Sequence, residues 1–163
     1  MKTLRWGVVG TGGIANSMAR MIKMADNSEL ASVSSRRMET AREFADAHEV
    51  PNAFDSWEEM CASDAVDAIY VATPTSVREE ICLAAANNGK HVLGEKPMAT
   101  RIEDCARILA TSRRTGKLYQ VGLELRCSRM VQRVRALDND RDGFADCRDS
   151  DCRAVVACLP PPV

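Results

Sequence analysis

Apolar residues along this chain follow two alternating rhythms. Short, nearly continuous apolar runs are each followed by a longer stretch in which apolar positions return every third or fourth residue. Trp6, Val8 and Val9 make the first run, Leu30 to Ser34 the second, Val66 to Ala72 the third, His91 to Gly94 the fourth and Leu118 to Gly122 the last. The third contains Ala-Ile-Tyr-Val-Ala, the near-continuous pattern that a parallel strand shows when both of its faces are covered. Between the runs, Ile14, Met18, Met21, Ile22 and Ala25 predict a helix ending near Asp26-Asn27. Met38 to His48 predicts another, with Ala41, Phe44 and Ala45 on one face and Pro51 at its far boundary. Ser56-Trp57-Glu58-Glu59, Ser76-Val77-Arg78-Glu79 and Thr100-Arg101-Ile102-Glu103 each have the spacing of a capping box, so each is expected to open a helix. The second of these runs through Ile81, Leu83 and Ala84 to the stop at Asn88-Gly89. The third is expected to bury Ile102, Cys105, Ile108 and Leu109 and to end at Gly116, and Met130, Val134 and Leu137 mark a final short helix.

Strand and helix alternate with short turns between them, which predicts an α/β fold: a Rossmann-type, doubly wound, mostly parallel sheet with helices on both faces. In such sheets ligands sit beyond the carboxyl ends of the strands, where the strand order reverses. Four segments follow strands and so share that rim: the loop from Gly10, Ser35 to Arg37, Thr73 to Thr75, and Glu95 to Pro97.

Composition narrows the classes. At 163 residues the chain accommodates one full domain, taken as residues 1–137, plus an appendage over 138–163. Apolar residues at 45% and charged residues at 28% are those of a globular protein. A net charge of -1 provides no basic footprint for nucleic acid or an anionic membrane surface. No segment approaches the roughly 20 apolar residues of a spanning helix, and the first apolar stretch is broken by Arg5, Gly7 and Gly10, unlike a signal peptide. A cytoplasmic location is expected. Of the seven cysteines, Cys61, Cys82, Cys105 and Cys127 are scattered and read as small apolar residues, whereas Cys147, Cys152 and Cys158 crowd the final stretch.

The rim carries the candidate chemistry. Gly10, Gly12 and Ala15 match G-x-G-x-x-G/A between a strand and a helix. The first glycine permits the tight turn, the second allows a pyrophosphate close to the backbone, and Ala15 lets the helix lie near the strand. The helix then aims unpaired N–H groups and a positive dipole end at the phosphates, with Thr11, Gly13 and Ile14 in the same loop. At the end of the second strand, where an acidic residue would hold a ribose 2′-hydroxyl, the chain has Ser35-Arg36-Arg37. Arginine there suits a 2′-phosphate, so NADP is expected, with NAD as the other possibility and a solvated turn as the plain structural alternative. Lys96, at a strand end, is placed to donate a proton to a carbonyl or to hold a substrate hydroxyl beside a nicotinamide. Pro97 would fix that turn, with a cis Lys96-Pro97 bond expected. A surface lysine paired with Glu95 is the alternative.

These residues resemble the Gfo/Idh/MocA oxidoreductases, a family that includes inositol and dihydrodiol dehydrogenases. The resemblance rests on Gly10-Thr11-Gly12-Gly13-Ile14-Ala15, on Ser35-Arg36, on Asp64 through Thr73-Pro74, and on Gly89 through Glu95-Lys96-Pro97, and it covers about residues 3 to 137. It implies an NAD(P)-binding domain with Lys96 in the catalytic position, Thr73-Pro74 near the nicotinamide, and Val121-Gly122 with Arg126 leading toward a second domain. Members of the family continue into a sheet-rich domain that supplies the substrate pocket, and this chain is expected to lack it. Where the family pattern often has histidine after Thr-Pro, this chain has Arg78.

The acidic tail is separate. Asp138, Asp140, Asp142 and Asp146 take positions one, three, five and nine of a calcium loop, with Gly143 at six and Asp149 at twelve. A calcium site and a solvated acidic tail are both open on this pattern, and Pro160-Pro161-Pro162 ends the chain in a polyproline-like stretch. The functional expectation is NADP-dependent hydride transfer on a sugar, polyol or diol; a non-catalytic dinucleotide-binding module is the alternative.

Overall fold

The computed structural model describes residues 3–122. The expected helix through Met130 and Leu137, Cys127, Arg126 and the aspartates from Asp138 to Asp149 lie outside the described residues.

β1 (Leu4–Val9), β2 (Ser28–Ser34), β3 (Asn52–Phe54), β4 (Ala68–Val71), β5 (His91–Glu95) and β6 (Tyr119–Gly122) form one sheet in the order β3-β2-β1-β4-β5-β6. Every neighbouring pair is parallel, so the mostly parallel expectation becomes a wholly parallel sheet among the described residues. The order runs outward from β1 to β3, then returns to the other side of β1 and runs outward to β6. That return puts the reversal between β1 and β4.

Period-2 alternation divides the core between the two faces. Val9, Ile69 and Val71 face Met60, Ile81 and Ile108 of α3 (Trp57–Ala62), α4 (Arg78–Asn87) and α5 (Ile102–Thr115). Their sequence neighbours Val8 and Tyr70 face Ala15, Ala19 and Phe44 of α1 (Gly13–Met24) and α2 (Met38–His48). All four residues of β4 are buried, as their continuous apolarity predicts.

Several local expectations are corrected. α1 buries Ala15, Ala19 and Ile22, while Ile14 and Met21 are 41% and 44% exposed. Small side chains let the helix axis approach the sheet, and the larger apolar residues are displaced to its flanks. α1 also ends at Met24, before Ala25. Of the three capping boxes only Ser56 caps, accepting the Glu59 N–H at 3.1 Å. At the second, a 3₁₀ turn (Thr75–Val77) precedes α4, whose N-cap is Val77. At the third, Arg101 is the N-cap, without a side-chain cap, and the Thr100 hydroxyl lies 3.5 Å from Asp104 Oδ2 instead. Ile102, the first residue of α5, is 84% exposed and Cys105 and Leu109 are only partly buried, whereas Ile108 is buried as expected. β3 was not anticipated, since Asn52-Ala53-Phe54 is too short to show a period.

Candidate functional site

The ends of β1, β2, β4 and β5 bring together the four segments that the strand pattern assigns to one rim. β1 leads into Gly10, whose φ of +107° is a left-handed conformation that glycine adopts without penalty. Its N–H donates to Ser34 O at 2.8 Å, tying the turn to β2. A Cβ on Gly10 would stand 3.0 Å from the Ala72 carbonyl oxygen at the exit of β4, so this turn is packed between both neighbouring strands.

Gly12 is the N-cap of α1, and no side chain caps the helix there. There is no acidic residue in its first turn. A Cβ built on Gly12 or Gly13 meets nothing within 4 Å. The result is a helix N-terminus whose first amides have no partner among the described residues, with a positive dipole end and open space above it, which is the requirement for docking a diphosphate. Thr11 is half-buried beside it and Ile14 stands at the rim.

Asn16 organises the loop from below. Its Nδ2 donates to Thr11 O at 3.1 Å and to Gly12 O at 3.0 Å, while its Oδ1 lies 2.7 Å from His48 Nε2. His48 is buried at the end of α2 against Phe44, with ring centroids 4.5 Å apart. Burial, helped by the charges of Lys23 and Arg20, lowers its pKa below the ordinary histidine value. A neutral imidazole with its proton on Nε2 then donates to Asn16. Sequence reasoning passed over both residues; the available signal was an amide side chain one helical turn after Gly12, where it can bond back to loop carbonyls.

At the end of β2 the Ser35 N–H donates to Phe54 O of β3 at 3.1 Å. Arg36 and Arg37 follow it and are exposed, and neither forms an ion pair among the described residues. Arg37 is the N-cap of α2 through its backbone alone.

β5 delivers Glu95, Lys96 and Pro97, with a cis Lys96–Pro97 peptide as expected. Glu95 turns inward and is 7% exposed; its Oε1 accepts the Tyr70 hydroxyl at 2.6 Å and its Oε2 the Lys96 N–H at 3.3 Å. Lys96 extends outward, and its ammonium has no partner among the described residues, so it is not tied up by Glu95. Thr73 and Pro74 leave β4 beside this turn. Between the two lies Arg78, 3% exposed, whose guanidinium donates to Thr73 O and Glu95 O at 2.7 Å each and also to Pro97 O.

A wholly parallel sheet with its order reversing at β1, a glycine turn at that point and a bare helix N-terminus define a dinucleotide-binding Rossmann domain. The chain belongs to the oxidoreductase family with an NAD-binding Rossmann fold, Gfo/Idh/MocA, whose model matches residues 4–123. It is 34% identical over 113 residues to a scyllo-inositol 2-dehydrogenase (NADP(+)) of Bacillus subtilis, covering 69% of this chain and 34% of that protein. It is 30% identical over 136 residues to a trans-1,2-dihydrobenzene-1,2-diol dehydrogenase of Bos taurus, covering 82% of this chain and 41% of that protein. Among solved structures, a 3-ketoreductase from Actinomadura kijaniata in complex with NADP and TDP-benzene superposes with a TM-score of 0.78 at 27% identity, over 82% of this chain and 41% of the other. The chain therefore spans well under half the length of these relatives. No group of His, Cys, Asp and Glu suited to a metal occurs among the described residues.

Proposed function

We propose that this domain binds NADP(H) and forms the cofactor half of a hydride-transfer site acting on a sugar, polyol or diol. The observation that carries the reading is the convergence, at the carboxyl ends of the strands, of the uncapped α1 N-terminus with two arginines and a lysine that have no partner among the described residues. Gly10, Thr11, Gly12, Gly13 and Ile14 would hold the pyrophosphate, and Ser35, Arg36 and Arg37 the adenosine ribose with its 2′-phosphate. Thr73, Pro74, Glu95, Lys96 and Pro97 would wall the nicotinamide. The bound nicotinamide supplies the hydride donor or acceptor. Lys96 Nζ then holds the reacting oxygen of the substrate and gives or takes its proton, a general acid–base role within reach of a side chain free to turn toward the rim. The relatives named for an inositol and for a dihydrodiol support the substrate class.

Titration of the protein with NADPH and NADH, followed by nicotinamide fluorescence, tests the cofactor reading. NADPH is expected to bind more tightly by about tenfold, since a paired phosphate is worth about 1.4 kcal/mol or more, and Arg36→Ala should abolish the difference. Equal affinities in the unaltered protein would overturn the NADP preference. Turnover is tested by absorbance of reduced cofactor with a panel of polyols and diols. Tight binding with no turnover on any of them would identify the domain as a dinucleotide-binding module.

A further inference from the structure

The deepest charge in the candidate site belongs to a residue that touches no expected part of the cofactor. Arg78 is almost fully buried at the start of α4, and among the described residues it has no carboxylate partner. Its guanidinium spends its donors on backbone carbonyls: Thr73 O at the exit of β4, and Glu95 O and Pro97 O on either side of Lys96. Burying a cation costs free energy that neutral dipoles offset only when several converge on it. Here three carbonyls converge from two strand exits. The planar fork of arginine is the only side chain with enough fixed donors to span them; a lysine ammonium is a compact point that reaches fewer.

Two buried polar atoms at this node lack partners among the described residues, Arg78 Nε and Thr73 Oγ1. The junction therefore is not optimised as a hydrogen-bond network, and what it achieves is geometric: the turn carrying Thr73-Pro74 and the turn presenting Lys96 are fastened to one rigid group.

We infer that Arg78 is the positioning residue of the nicotinamide half of the site, locking the Thr73 and Lys96 turns into a single wall. The inference rests on the dinucleotide reading above. It places no demand on the glycine loop, at the exit of β1, or on Arg36, at the exit of β2, since Arg78 bonds only to the exits of β4 and β5.

The test separates the halves of the cofactor. The protein and its Arg78→Lys and Arg78→Ala variants are titrated with NADP+ and with 2′,5′-ADP, which carries the adenosine half alone. Both variants are expected to keep the 2′,5′-ADP affinity within about twofold while losing about tenfold toward NADP+. Methylguanidinium added to Arg78→Ala should restore part of the NADP+ affinity. Amide hydrogen exchange in the free protein provides a second readout, in which residues 73–76 and 95–99 should accelerate together in Arg78→Lys while residues 10–13 stay unchanged. A parallel loss for both ligands, undiminished NADP+ binding in a folded variant, or independent exchange of the two turns would each overturn the inference. Failure of the unaltered protein to bind either ligand would instead remove the dinucleotide reading, and the inference with it.

Discussion

Tyr70 donates its hydroxyl to Glu95 Oε1 at 2.6 Å, linking the middle of the sheet to the base of the turn that presents Lys96. Both residues are buried, Tyr70 completely. β4 and β5 pair Tyr70 with Leu93, so the phenol reaches two residues along its neighbour to find the carboxylate. An inward carboxylate needs such a donor, because a buried acceptor that loses its partner keeps its full desolvation cost.

Tyr70→Phe removes that donor and little volume. Stability should fall by about 1–3 kcal/mol, read as a lower urea midpoint at unchanged slope. An unchanged midpoint would show that the phenol–carboxylate bond contributes nothing net.

The glycine loop yields a pair of substitutions with opposite signatures. Gly10→Ala forces a side chain onto a φ of +107° and within 3.0 Å of the Ala72 carbonyl, so it should cost about 1–3 kcal/mol in the free protein. Gly13→Ala begins α1 with a better helix former and meets nothing within 4 Å, so stability should hold or rise by up to about 1 kcal/mol. Its methyl group, however, occupies the space expected for the pyrophosphate, and NADPH affinity should drop at least about tenfold. Thermal denaturation and NADPH titration on both variants check the contrast. If Gly13→Ala bound NADPH normally, the phosphate would not dock over α1.

What the sequence made legible follows the physics of each signal. Strand and helix alternation, and with it the rim, came through because apolar period survives any tertiary detail: Met38 to His48 forms α2 over those same residues, and Val8 and Val9 divide between the faces as period 2 requires. The glycine loop was legible because its residue types answer a backbone demand. Caps were less so. Ser76 and Thr100 carry the right spacing, yet a 3₁₀ turn and the entry of Arg101 shift each helix start beyond their reach. Arg78 looked like a departure from a family pattern, and its role is visible only when three carbonyls from two strands surround it. Such long-range polar convergence leaves no local trace in a sequence.

Two of the scattered cysteines are inert by burial. Desolvation pushes the thiols of Cys61 and Cys82 up to about 12, with Cys105 only half-buried on α5. Reactivity follows thiolate and access. Brief alkylation with iodoacetamide at neutral pH, read by peptide mass spectrometry, should leave Cys61 and Cys82 unmodified in folded protein and label them in denaturant. Labelling of either in the folded state would show that α3 or α4 opens readily.

His48 sets an acid limit on the domain. Its folded pKa is lowered by burial first and by Lys23 and Arg20 of α1 second, from an ordinary value of 6.5. The unfolded chain therefore binds this proton more readily than the folded one. By linkage, the contribution of the neutral ring is complete above about pH 6.5 and is lost progressively as the pH falls through that value toward the folded pKa. Urea midpoints should be level near pH 7.5 and decline between about pH 6.5 and 5. His48→Gln, whose amide N–H can still donate to Asn16 Oδ1, should be less stable at neutral pH through lost packing on Phe44, yet decline less on acidification. The decisive quantity is the difference between the two proteins. If it were the same at pH 7.5 and pH 5, the proton uptake on unfolding would belong to other groups and burial of the neutral His48 ring would not be what acid opposes.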